Sequence, residues 1–213
     1  MLPFTADILF SSFEQYNRTL WPYAILAPVL ALAIVLLTFR PVRGGDRAVS
    51  ALLALAWLWI AIGYHFLHFA TIDFAAPLYG AFFVLQGLLL AWTGVARGRL
   101  AFRFDASPFG WCGLALALAA IAWPLADVLL GHGWQSARVV GLASGPTAIF
   151  TLGLLLLTAG RPPLHLAIIP LLWTLLAGAT AWVLTIPQDL ALPVAGLGAF
   201  ALILWKNQRQ ART

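Results

Sequence analysis

A chain of 213 residues that is 62% hydrophobic and only 9% charged is excluded from the ordinary soluble domains, in which about 25% of residues carry charge. Its one cysteine, Cys112, excludes an intramolecular disulfide and a cysteine-rich metal site, and beside Trp111 it reads as a small apolar filler. The formal charge of +5 sits in short segments between apolar runs and is poor support for nucleic-acid binding.

Residues 1–20 place Phe4, Ile8, Leu9, Phe13, Tyr16 and Leu20 at helical spacing. This predicts a short amphipathic helix lying in the membrane interface. The segment lacks the basic stretch and cleavage site of a signal peptide, so no removal is expected.

Seven apolar runs follow: Trp21 to Phe39, Ala48 to Phe69, Pro77 to Ala96, Phe109 to Leu130, Val139 to Thr158, His165 to Leu184 and Leu190 to Trp205. A bilayer core of about 30 Å takes about 20 residues of helix, and lipid offers no partner to an open strand. The expected fold is therefore all-α: a seven-helix transmembrane bundle over residues 21–205, closed by a basic cytoplasmic tail, 206–213.

Charge sets the direction of these spans. Ten of the twelve basic residues follow the first, third, fifth and seventh runs: Arg40, Arg43, Arg47, Arg97, Arg99, Arg103, Arg161, Lys206, Arg209 and Arg212. The other side keeps Arg18 and Arg138 with Asp7, Glu14, Asp73, Asp127 and Asp189, giving it −3 against +8. The positive-inside rule places the amino terminus outside and the carboxyl terminus in the cytoplasm. Membrane lipid is the expected environment and a small solute the expected ligand.

Three short echoes occur in order. Pro22 to Leu26 resembles Pro146 to Phe150, Trp59 to Gly63 resembles Trp182 to Ile186, and Pro77 to Gly80 resembles Pro193 to Gly196. They suggest two parallel triple-helix repeats joined by the fourth span, a 3+1+3 plan.

The polar residues of the apolar runs are the candidate site. The stretch Gly63-Tyr64-His65-Phe66-Leu67-His68-Phe69 ends the second span near the outer hydrocarbon boundary. His65 and His68, at i and i+3, are expected to share a face. With Asp127 and His132 they form a candidate metal or haem set, and the plainer reading is that both rings meet water and headgroups. Asp73 and Asp189 lie near the same level. Gln86, near the middle of the third span, needs a partner and is either glue between helices or a substrate contact. Pro146, inside the fifth run, is expected to kink it beside Ser144, Gly145, Thr147 and Thr151. Gln86, Thr147, Thr151 and His65 are the expected lining of an outward cavity. Trp57, Trp59, Trp173 and Trp182 read as packing or belt residues. The sole lysine, Lys206, is expected in the tail, so no buried amine is available for a Schiff base. No Walker loop, HExxH or GxSxG is present.

Several motifs resemble an uncharacterised bacterial family of small polytopic membrane proteins, known only as a domain of unknown function. They are Tyr16-Asn17 before Trp21-Pro22, Gly63-Tyr64-His65, Gly94 to Arg99 with Arg103, Pro146 to Thr151, Ile169-Pro170 with Trp173, and Pro187-Gln188-Asp189-Leu190. The resemblance implies a multi-pass protein of the bacterial inner membrane and supplies no activity. It also implies a cysteine before the proline equivalent to Pro146; Gly145 stands there, so no thiol chemistry carries over. Seven spans with an outside amino terminus also resemble the SWEET and PQ-loop transporters in architecture. Pro187-Gln188 spells their dipeptide but precedes the seventh span, so no sugar site is transferred. A solute carrier or channel, a metal- or haem-dependent membrane enzyme, and a lipid- or partner-binding subunit all fit.

Overall fold

The computed structural model describes residues 3–40 and 42–212; Met1 and Leu2 of the predicted amphipathic segment and Thr213 of the predicted tail lie outside them. The first helix, α1 (Ala6–Leu20), begins where the Thr5 side chain accepts a hydrogen bond from the Ile8 N–H. Asp7 in its first turn and Arg18 in its last complement the helix dipole. Its buried side chains, Phe10, Phe13 and Tyr16, recur every three residues and face the rest of the protein. The predicted helix is present, and its apolar stripe covers one end of the bundle.

The remaining helices overlap the predicted apolar runs, the fourth run being divided between two of them. They are α2 (Leu26–Phe39), α3 (Gly45–Trp59), α4 (Ala76–Leu90), α5 (Pro108–Ile121) with α6 (Trp123–Leu129), α7 (Ser144–Leu156), α8 (His165–Leu184) and α9 (Ala191–Arg209). Helix α3 continues through a π-helical turn, Ile60–Phe66, and α4 through another, Ala91–Ala96. Among the described residues, four runs are long and apolar enough to cross a membrane: Gly45–Thr71, Ala76–Ala96, His165–Leu184 and Pro187–Arg209. A fifth is added if α5 and α6 are one span bent by 49° where Pro124 follows Trp123. These are the features of a multi-pass membrane protein. Large apolar side chains such as Val29, Leu55, Leu85, Leu172 and Val194 remain exposed around the outside.

Helices α2 and α7 are apolar but have only 14 and 13 residues. At about 1.5 Å per residue α7 extends roughly 20 Å, well short of the hydrocarbon layer. Its burial makes this tolerable. Packed against α3, α5, α8 and α9, it buries every residue except Gly145. Non-helical backbone at its ends therefore meets protein, where its polar groups find partners. The closest approach is to α5, where a Cβ on Gly113 would stand 2.7 Å from the Gly153 carbonyl oxygen.

The fifth run is thus corrected: the helix starts at Ser144, so Pro146 lies in its first turn. There a missing N–H costs nothing and no kink results. The two predicted triplets also pack unlike one another, α7 being enclosed and α2 standing at the edge.

Hydrogen bonds show which termini converge. At one end the Thr38 carbonyl accepts from the Phe104 N–H, Asp46 pairs with Arg103, Arg161 donates to the Gln210 carbonyl, and Asn207 donates to the Pro162 carbonyl. This end gathers the basic segments. The opposite end holds α1, whose Asn17 Nδ2 donates to the Gln135 and Ala137 carbonyls at 2.9 Å each.

Lys206 is a second correction. Helix α9 runs through the predicted tail boundary to Arg209, and the Lys206 ammonium is buried, donating to the carbonyls of Leu156 at 2.8 Å and Thr158 at 2.6 Å. It caps α7, whose last carbonyls have no intrahelical donor.

Candidate functional site

The π-helical turn at Ile60–Phe66 decides where the two histidines of the second span point. It inserts a wider i→i+5 step, seen in the bond from the Leu67 N–H to the Ile62 carbonyl at 3.1 Å. His65 is turned inward and fully buried, while His68 is half-buried and packs edge-on against Tyr16, ring centroids 5.5 Å apart. The expected shared face does not form, and His65 does not meet water.

His65 is held by one hydrogen bond and a ring of aromatics. Its Nε2 lies 3.0 Å from the hydroxyl of Ser144, the first residue of α7. Phe83, Trp173 and Tyr79 surround the imidazole at centroid distances of 4.7, 5.2 and 6.0 Å. Its Nδ1 is buried without a partner.

Beside it lies a buried ion cluster. Arg138 grips Asp127 through one edge of its guanidinium, Nε to Oδ2 at 3.0 Å and Nη2 to Oδ1 at 2.5 Å, and its own backbone N–H donates to Oδ2 at 3.0 Å. Its Nη1 reaches Asp189 Oδ2 at 2.5 Å. Gln188 Nε2 adds a donor to Asp127 at 3.3 Å. The Arg138 guanidinium lies 5.1 Å from the Phe10 ring of α1, and His132 stacks on the same ring with centroids 3.5 Å apart. Burial alone would lower the Arg138 pKa, but Asp189 and Asp127 more than offset this and hold it above the usual arginine value. The cluster ties α6, the segment before α7, the turn before α9 and α1 together.

Between His65 and Arg138 is a cavity of about 80 Å³. Its polar lining comes from His65, Asp73, Tyr79, Arg138, Ser144 and Asp189, with Tyr64, Phe69 and Trp173 as aromatic walls and Phe13 of α1 as part of its roof. Four polar atoms around it are buried without partners: His65 Nδ1, Tyr64 Oη, Trp173 Nε1 and Asp189 Oδ1. Buried polar groups are almost always paired, so this concentration sets the cavity apart from the rest of the interior.

The predicted lining residues do not all meet here. Gln86 Nε2 donates to the Leu166 carbonyl at 2.9 Å and lines no described cavity. Thr147 Oγ1 donates to the Ala143 carbonyl and accepts from the Gly141 N–H, while Thr151 Oγ1 donates to the Thr147 carbonyl and accepts from Trp57 Nε1. Only His65 of the four reaches the polar cavity.

The candidate metal set is dispersed in the same way. His65 faces Ser144, His68 faces Tyr16, Asp127 is engaged by Arg138, and His132 stacks on Phe10. Among the described residues no three histidine, cysteine, aspartate or glutamate side chains stand close enough to share an ion. Sequence reasoning overlooked Arg138 as the hub. Its signal was arithmetic: one of only two bases among five acids at that end, it was bound to be paired.

A second cavity is different in kind. An apolar crevice of about 660 Å³ separates α2 from α3 and is lined by residues such as Leu30, Ile34, Leu52, Ala56, Gly141 and Phe150, with Thr147 at its edge.

Compared with known proteins, residues 6–213 match the model of a family of unknown function, DUF6064. No curated protein and no solved structure is similar to the chain.

Proposed function

We propose that this chain, which belongs to the family of unknown function DUF6064, is a membrane-embedded binding protein or carrier for a small solute. The solute enters the cavity beside His65 from outside the cell. The observation that carries this reading is the convergence of unpartnered buried polar atoms, His65 Nδ1 and Asp189 Oδ1 among them, on one cavity. In a protein interior such atoms cost about 1–3 kcal/mol each unless something pairs with them.

Two features support placing a solute at this depth. The N-terminus of α7 opens onto the cavity through Ser144 and Gly145, after non-helical chain that is enclosed in protein. Interrupted helices ending near a polar site are the usual means by which carriers expose backbone to a ligand. The arginine-rich end then faces the cytoplasm and α1 the outer surface of a bacterial inner membrane, with seven crossings in all.

The test uses thiol accessibility. With Cys112 replaced by serine, a cysteine at Thr180, which lines the cavity, is expected to react with a membrane-impermeant reagent applied from the periplasmic side only. Labelling from the cytoplasmic side, or none even in detergent, overturns the reading.

The apolar crevice favours a second reading, a lipid-binding subunit. It is wide, almost without polar lining, and bounded by α2, which carries many exposed apolar side chains. Lipid bound there is expected to survive purification, and Ala56→Trp, which fills the crevice, is expected to release it. Native mass spectrometry showing no bound lipid in the parent protein counts against this reading.

A further inference from the structure

The cavity's charge and walls identify the ligand class more narrowly, resting on the solute-binding reading above. Asp73, Asp127 and Asp189 stand against the single guanidinium of Arg138, leaving a formal charge of −2 around the site. Among the described residues that line the cavity Arg138 is the one arginine or lysine, and its guanidinium is already paired with Asp127 and Asp189. Asp189 uses one carboxylate oxygen on Arg138 and leaves Oδ1 buried without a donor. Asp73, also buried, accepts from the Ala75 N–H at 2.9 Å and stands beside the Tyr79 hydroxyl.

The remaining surface is aromatic. Tyr64, Phe69, Tyr79 and Trp173 line the cavity, with Tyr79 and Trp173 edge-to-face at 5.5 Å. Aromatic faces beside carboxylates attract a cation that bears its charge on carbon-substituted nitrogen. The volume of about 80 Å³ is roughly half that of a cavity of about 150 Å³ that takes benzene, which limits the ligand to a few heavy atoms.

We propose that the cavity binds a small organic ammonium ion, its N–H groups donating to Asp189 Oδ1 and its carbon substituents packed against Trp173 and Tyr64. The same ammonium chemistry occurs in free amines and in ethanolamine lipid headgroups.

Isothermal titration of the full chain in amine-free detergent tests this with methylammonium, acetamide and acetate, three small probes of different charge. Saturable binding of methylammonium alone is expected. Asp189→Asn and Trp173→Leu are each expected to weaken it about tenfold, the range of one charge-assisted hydrogen bond or one desolvated cation–π contact. Because Asp189→Asn also removes a partner of Arg138, Asp73→Asn provides a second variant; its amide oxygen still accepts from Ala75, and a several-fold loss is expected. Binding of acetamide or acetate in preference to methylammonium, no binding of any probe, or unchanged affinity in both Asp73→Asn and Trp173→Leu overturns the ammonium assignment. The thiol-labelling experiment decides separately whether the cavity is open to the periplasm, as the solute-binding reading requires. Nanodiscs then identify the source: weaker methylammonium binding in phosphatidylethanolamine than in phosphatidylglycerol assigns the site to a headgroup, and equal binding assigns it to a free amine. Both results support the ammonium chemistry.

Discussion

Gln86 completes the hydrogen bonding that Pro170 interrupts. Pro170 lies inside α8 and has no N–H, so the carbonyl four residues earlier, Leu166, loses its helical donor. Gln86 Nε2, from α4, donates to that same oxygen at 2.9 Å. Gln86→Leu is therefore expected to destabilise the protein by about 1–3 kcal/mol, the cost of a buried acceptor left unpaired. In a Pro170→Ala background, which restores the helical N–H, the same change is expected to cost much less. Thermal unfolding of the four proteins of this cycle measures the coupling, and equal costs in both backgrounds would refute it.

Arg138 is expected to be the most sensitive position at the α1 end. Arg138→Met leaves Asp127 and Asp189 buried together without a cation, a loss of about 3–5 kcal/mol. Arg138→Lys is expected to recover only part of it, because an ammonium cannot match the bidentate grip on Asp127. A lysine variant as stable as the parent in thermal unfolding would show that charge alone matters.

Lys206→Met removes the donor to the Leu156 and Thr158 carbonyls while keeping the length of the buried stem. A loss of about 2–3 kcal/mol is expected from two unpaired buried acceptors. The accompanying signature is faster amide hydrogen exchange in the last turn of α7, with the α1 end unchanged. Exchange altered equally at both ends would mean that Lys206 supports the fold as a whole.

Asn17 fastens α1 to the segment that carries Arg138. Asn17→Ala deletes both hydrogen bonds to the Gln135 and Ala137 carbonyls. The expected result is increased hydrogen exchange confined to residues 6–20, since α1 otherwise adheres through Phe10, Phe13 and Tyr16. No change in exchange there would show that the aromatic face suffices.

The apolar run lengths were enough to read an all-α chain with several helices suited to crossing a membrane. This property is local: a side chain's transfer cost between lipid and water depends little on its neighbours. The helical spacing of Phe4, Ile8, Leu9, Phe13, Tyr16 and Leu20 likewise marked α1, and the charge asymmetry set Asp73, Asp127 and Asp189 together on one side. Residue pairing was not legible in the same way. Gln86 was recognised as needing a partner, but not that its partner was a carbonyl freed by a proline 84 positions away.

What the sequence determined by itself was an all-helical, lipid-suited chain whose basic segments gather at one end. What the tertiary structure alone decided was which polar groups meet. A single π-helical turn separated His65 from His68, burial of α7 on all sides gave Pro146 and Lys206 their roles as end residues, and Arg138 collected two carboxylates from distant turns. The physical reason is range. Hydropathy and periodicity act over one or two helical turns, whereas hydrogen bonds and ion pairs between helices depend on rotations and end points that are set only when the helices pack.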